Sequence, residues 1–172
     1  MANEVFEAVR TVLAVREFAD RPLPDEVARR IVEAAHLTAS AGNGQPWHFI
    51  LVRDREGLHK LGSLVRTGPY NASAAAAVIV AYAKKNRDIG ISDGSRAIQA
   101  MMLAAWGEGV ASNWTGFAGG LDNVREEFGL PDSYEVLAVV PFGYPKRKVI
   151  GRKKRKPINE VVSVERFGQP LA

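Results

Sequence analysis

Cysteine is absent from the 172 residues, which excludes disulfides, thiolate nucleophiles and cysteine-held zinc or iron–sulfur centres. Any redox chemistry must therefore come from a bound cofactor. Long apolar runs are missing too. The longest, Ala74 to Ala83, is about half of what a bilayer requires, and the start MANEVFEAVR lacks the apolar core of a signal peptide. Those two absences predict a cytoplasmic protein without a membrane span. Several catalytic signatures are also lacking: no GxGxxG follows a strand, and there is no Walker lysine motif and no GxSxG. His36, His48 and His59 fall on three separate predicted elements without HExxH spacing, so no metal site is expected. The acidic residues sit at helix starts or on charged helix faces and give no support to paired-carboxylate hydrolysis.

What is present is an ordinary globular balance, 47% hydrophobic and 24% charged, in a length that suits one domain spanning 1–172. The net charge of +4 is uneven: eight basic residues and no acid lie between Lys146 and Lys156, and removing them leaves 15 basic against 19 acidic. A cationic segment on an acidic body needs a local explanation.

Periodicity predicts a helix with Val5, Val9, Val12 and Leu13 on its apolar face, ending near Val15. A second starts at Pro24 with Asp25 and Glu26 in its first turn and Val27, Ile31, Ala34 and Ala35 buried. A polar loop from Thr38 to Gln45 leads into Trp47 to Val52, an apolar run expected to be a strand covered on both faces. Helix is expected over Arg55 to Val65, strand over Ala75 to Ala83, and a polar loop over Lys84 to Gly90. The longest helix then begins at a cap on Ser92 or Asp93, buries Ala97, Ile98, Met101, Met102 and Ala105, and ends at Gly107 and Gly109. A shaped loop over Trp114 to Gly120, a short helix capped by Asp122 and a third strand over Glu135 to Gly143 complete the pattern. Helices alternating with buried strands imply an α/β or α+β fold with helices covering a central sheet.

The segment VREFADRPLP followed by IVEAAHLTASAGNGQPWHFILV resembles the N-terminal signature of the nitroreductase family: Arg-x-Phe before a proline turn, then Ala-Ser-x-x-Asn-x-Gln-Pro-Trp entering a strand. SDGSRAIQAMMLAAWGEGVASNW resembles that family's central helix, TGFAGG its flavin-facing loop, and FGYPKRK with KKRKPINEV its closing strand and basic tail. The resemblance implies an α+β three-layer sandwich with a mostly antiparallel central sheet, an intertwined homodimer, and FMN at the dimer interface. It also implies the activity: electrons pass from NADH or NADPH through FMN to a small-molecule acceptor such as a nitroaromatic or quinone, with the chemistry at flavin N5 and no side chain acting as acid, base or nucleophile.

Carried over residue by residue, the resemblance assigns Arg16, Ser40, Lys153 and Arg155 to the phosphate, where charge-assisted hydrogen bonds are strong. Asn43 and Gln45 go to the ribityl chain or pyrimidine edge, and the backbone of Thr115 and Gly116 to the redox-active ring edge. Singly, each of these reads as an ordinary helix-end, loop or turn residue; their joint spacing supports the functional reading. Lys153 and Arg155 alternate along an extended segment and so share a target. Val12, Leu13 and Ala14 stand where the family often has Arg-Arg-Ser, and Ala39 where it has proline. Two lost phosphate contacts are expected to weaken FMN binding by on the order of a hundredfold. Two further readings stay open on the residues alone: a flavin or ligand binder without catalysis, and a nucleic-acid-binding module built on Lys146 to Lys156, against which stands the lack of interleaved aromatics.

Overall fold

In the computed structural model, which describes residues 2–66 and 68–171, four strands form one sheet in the order β1 (Trp47–Val52), β2 (Ala76–Ala83), β4 (Tyr134–Gly143), β3 (Ala111–Ser112). Every pairing within it is antiparallel. The two central strands, β2 and β4, are nearly continuous apolar runs because both their faces are covered. On β2, Ala76, Val78, Val80 and Tyr82 face one core cluster with α2 (Asp25–His36) and α5 (Arg87–Gly107). The intervening Ala77, Ile79 and Ala81 face the other, with α3 (Arg55–Leu64) and α6 (Asp122–Glu127). That alternation of period two makes the three layers. The observed architecture is thus the expected α+β sandwich.

Several boundaries differ from the sequence expectation, each for a packing reason. β1 is an edge strand: His48 and Leu51 are exposed, so it is covered less completely than its apolar composition suggests. α5 starts at Arg87, so Ser92 and Asp93 lie inside the helix rather than capping it. The helix can cross the sheet this early because Gly90 and Gly94 bring its backbone against β2 and β4. A Cβ on Gly90 would stand 2.8 Å from Tyr82 Cβ, and one on Gly94 2.8 Å from a Leu137 methyl. The short α4 (Pro69–Ser73) and β3 carry too little pattern to be expected from periodicity. α1 (Ala2–Thr11) ends four residues before Val15, and its apolar face is not buried in this chain: Val5, Phe6 and Val9 are exposed at 67%, 64% and 45%.

Tyr82 gives the fold a pH signature. Its side chain is fully buried and, among the described residues, its hydroxyl has no hydrogen-bond partner. Burial, with Glu135 alongside, pushes its pKa up to about 12. The unfolded side chain ionises near ~10, so above that pH the native state holds the extra proton. Stability present below ~10 is therefore lost as pH rises towards about 12. Thermal melts across that window should show the fall, and Tyr82→Phe should flatten it while leaving neutral-pH stability equal or up to ~1 kcal/mol higher. An unchanged profile in Tyr82→Phe contradicts the assignment.

Candidate functional site

The candidate residues gather at two diagonally opposite corners of the sheet. The first corner is the loop entering β1. Ser40 precedes a single 3-10 turn over Ala41–Asn43, and Gly42, Asn43 and Gln45 have φ of 56°, 54° and 44°. Left-handed backbone at two non-glycine residues is costly and has to be held in place by its surroundings. Part of the hold is local: the Gln45 backbone N–H donates to Ser40 Oγ at 3.0 Å. Gln45 Nε2 also reaches both Asn43 oxygens at 3.3 Å. The outcome is a polar knuckle with the Asn43 and Gln45 side chains exposed and Ser40 half-buried.

The second corner, at the β3 edge, holds Arg16 and Lys153, and further in along β4, level with Val139, lie Thr115 and Gly116. Residues 14–18 run beside β3 and the end of β4: Ala14 bridges to Ser112, the Val15 N–H donates to Ser112 O at 2.9 Å, and Phe18 bridges to Pro145. Arg16 projects from this segment and is exposed. Lys153 Nζ donates to Val9 O in the last turn of α1. Lys153 also lines a cleft of about 510 Å³ with Thr11, Leu13, Trp106 and Arg152. Arg155 is exposed, and among the described residues its guanidinium meets only the Lys154 carbonyl, at 2.9 Å. Among the described residues, Arg16, Lys153 and Arg155 have no carboxylate partner.

Thr115 is held more tightly than its sequence suggests. It is fully buried, and its N–H and C=O exchange 2.9 Å hydrogen bonds with Val139. Its hydroxyl donates to Val139 O at 2.7 Å and accepts from Asn71 at 3.3 Å. Thr115 therefore offers nothing outward; it pins the loop that presents Gly116. Gly116 has φ +71°, its carbonyl accepts from Trp114 Nε1 at 2.8 Å, and its N–H makes no hydrogen bond among the described residues. Beside it a cleft of about 420 Å³ is lined by Arg66, Trp114, Phe117 and Leu121.

The register gives the separation. Trp47 is level with Tyr82 and Glu135, whereas Ser112 is level with Phe142. Seven residues along β4 at ~3.3 Å each put ~23 Å between these levels, and three strand spacings add ~14 Å across the sheet; Thr115, level with Val139, is four residues from Glu135 and so ~13 Å along the strand from the Trp47 level. One chain therefore does not bring Ser40, Asn43 and Gln45 together with Arg16, Gly116 and Lys153. Three residues that shape the corners were not legible in the sequence: Asn71 behind Thr115, and Asp93 and Arg96, which reach from α5 to the knuckle. For the buried Asn71 and Asp93 the only signal is a polar residue within an otherwise apolar face, and the exposed Arg96 carries none.

The donor chemistry of the two corners suits FMN. Cations without carboxylate partners match a phosphate dianion, uncharged amides match ribityl hydroxyls and a pyrimidine edge, and a free N–H at a glycine turn can approach a ring closely. Among the described residues no helix is long and apolar enough to cross a membrane.

The family model described as the Nitroreductase family matches residues 10–93 and 70–144. An Archaeoglobus fulgidus protein provisionally named NADH dehydrogenase/NAD(P)H nitroreductase is 37% identical over 151 residues, which span 84% of this chain and 87% of that protein. A Parabacteroides distasonis protein of the same provisional name has a crystal structure that superposes with a TM-score of 0.87 at 27% identity, covering 94% of this chain and 98% of the other. An FMN-dependent nitroreductase from Clostridium difficile superposes with a TM-score of 0.85 at 24% identity, covering 94% and 99%.

Proposed function

The chain belongs to the nitroreductase family, and from that premise we propose that it is an NAD(P)H-dependent FMN oxidoreductase acting as a homodimer. The observation that carries the reading is that, among the described residues, Arg16, Lys153 and Arg155 lack carboxylate partners and the Gly116 N–H makes no hydrogen bond. Arg16, Lys153 and Arg155 hold the phosphate, with Ser40 as a hydroxyl donor. Asn43 and Gln45 hydrogen-bond the ribityl chain or pyrimidine edge. Thr115 fixes the turn from which Gly116 presents its backbone to the ring. When bound, the flavin supplies two-electron chemistry at N5, accepting from NADH or NADPH and delivering to a nitroaromatic or quinone in two half-reactions. The chain's own residues bind and orient, and none serves as acid, base or nucleophile.

A second copy resolves the separation of the corners. A two-fold dimer places the β1 knuckle of one subunit against the β3 corner of its partner, so that each of two sites draws on both chains. The uncovered apolar faces of α1 and of the tail, with Ile158 and Phe167 exposed, give such a dimer surface to bury.

The test is a visible spectrum of the protein after incubation with FMN and desalting, then anaerobic addition of NADH or NADPH. A retained flavin band that bleaches supports the oxidoreductase. No retained flavin overturns it and makes the losses at Val12 and Ala14 decisive; retained flavin that resists both nicotinamides leaves a binding protein without catalysis. Sedimentation should give a dimer, and a monomer carrying FMN contradicts the shared site.

A further inference from the structure

Asp93 is a carboxylate only 2% exposed on a helix face otherwise made of Gly90, Gly94, Ala97 and Met101. Burying a charge costs several kcal/mol unless it is paired and hydrogen-bonded, so its partners show what it is there to hold. One oxygen accepts the backbone N–H of Ala41 at 2.9 Å. The other lies 3.6 Å from the guanidinium of Arg96, one turn along α5. Arg96 in turn donates to the carbonyl of Ala39. The pair thus grips the main chain on both sides of Ser40, at the carbonyl before it and the N–H after it. Immediately beyond, Gly42, Asn43 and Gln45 sit at positive φ, a conformation that an unanchored chain leaves readily.

We propose that Asp93 and Arg96 are positioning residues for cofactor binding, a charged clip on α5 that holds Ser40, Asn43 and Gln45 ready to meet the flavin. The inference rests on the reading that this loop contacts FMN. Neither side chain need touch the cofactor, since both act through the loop. Preorganisation of this kind appears as affinity, because the free loop no longer pays for ordering on binding.

The test uses Arg96, whose side chain is half exposed, so that its removal leaves the core intact. FMN dissociation constants would be measured by fluorescence quenching for the unaltered chain, Arg96→Ala, Arg96→Lys and Asp93→Asn, and for Arg96→Ala combined with Ser40→Ala and Asn43→Ala. Losing a charge-assisted contact to the loop should weaken FMN binding roughly tenfold or more in Arg96→Ala, with an unchanged melting temperature of the flavin-free protein. Arg96→Lys should recover part of the loss, and Asp93→Asn, which still accepts from Ala41, should fall between. With Ser40 and Asn43 already truncated, Arg96→Ala should cost little more, because a residue acting through the loop has nothing left to position. An Arg96→Ala affinity within twofold of the unaltered chain, or a loss that adds fully to the loop truncations, overturns the clip while leaving the oxidoreductase reading intact. Failure of the unaltered chain to bind FMN overturns both.

Discussion

Replacing Lys153 and Arg155 together by alanine should raise the FMN dissociation constant at least about a hundredfold while leaving riboflavin binding nearly unchanged. Each charge-assisted contact to a phosphate oxygen is worth ~1.5–3 kcal/mol, and two such losses compound to two decades or more. The background makes the effect larger, because Val12 and Ala14 supply no charge or hydroxyl to share the load. Riboflavin lacks only the phosphate and so isolates that contribution. Equal losses for both flavins would mean that the pair shapes the site as a whole, and no loss would remove the basic tail from it. Arg152 and Lys154 are internal controls: they are exposed neighbours of the same charge, and their alanine variants should shift affinity by less than the Lys153 and Arg155 pair.

Phe142→Ala should be strongly destabilising, at ~3–5 kcal/mol. Phe142 is 1% exposed, packs in the α2–α5 core, and lies opposite both Ala76 and Ser112. Small domains hold only ~5–15 kcal/mol in total, so the variant should lose much of its folded population under mild denaturant. The midpoint in urea would fall with the slope unchanged, and Phe142→Leu, which conserves more of the volume, should lose under half as much. A loss below ~1 kcal/mol in Phe142→Ala would mean that the end of β4 repacks freely.

The main strands and the longer helices were legible because they bury continuous apolar surface, which leaves a pattern over six or more residues. What escaped was decided by contacts distant in sequence. The start of α5 looked like polar loop, since Arg87, Asp88 and Ser92 carry no apolar stripe, and only the fit of Gly90 and Gly94 against Tyr82 and Leu137 explains why helix persists there. Asp93 was legible as a polar residue near a helix start but not as an anchor, because its partner Ala41 is 52 residues away. β1 reads as doubly covered on composition, yet it lies at the sheet edge. At the site, motif spacing identified the candidate residues and not their arrangement: order along the chain carries no information about which corner each one occupies. Thr115 shows the same limit. Spacing placed it at the ring edge and gave no sign that its backbone groups pair with Val139.

The placement of the two corners also has a genetic consequence. In a two-fold assembly whose sites each draw one corner from either subunit, a chain defective at Lys153 and Arg155 and a chain defective at Ser40 and Asn43 are each inactive alone. Mixed in one cell, half of randomly paired subunits form heterodimers, and each heterodimer carries one site built from two sound corners and one built from two damaged ones. Two inactive alleles would therefore complement to about a quarter of full activity, whereas two alleles damaged at the same corner would not complement at all.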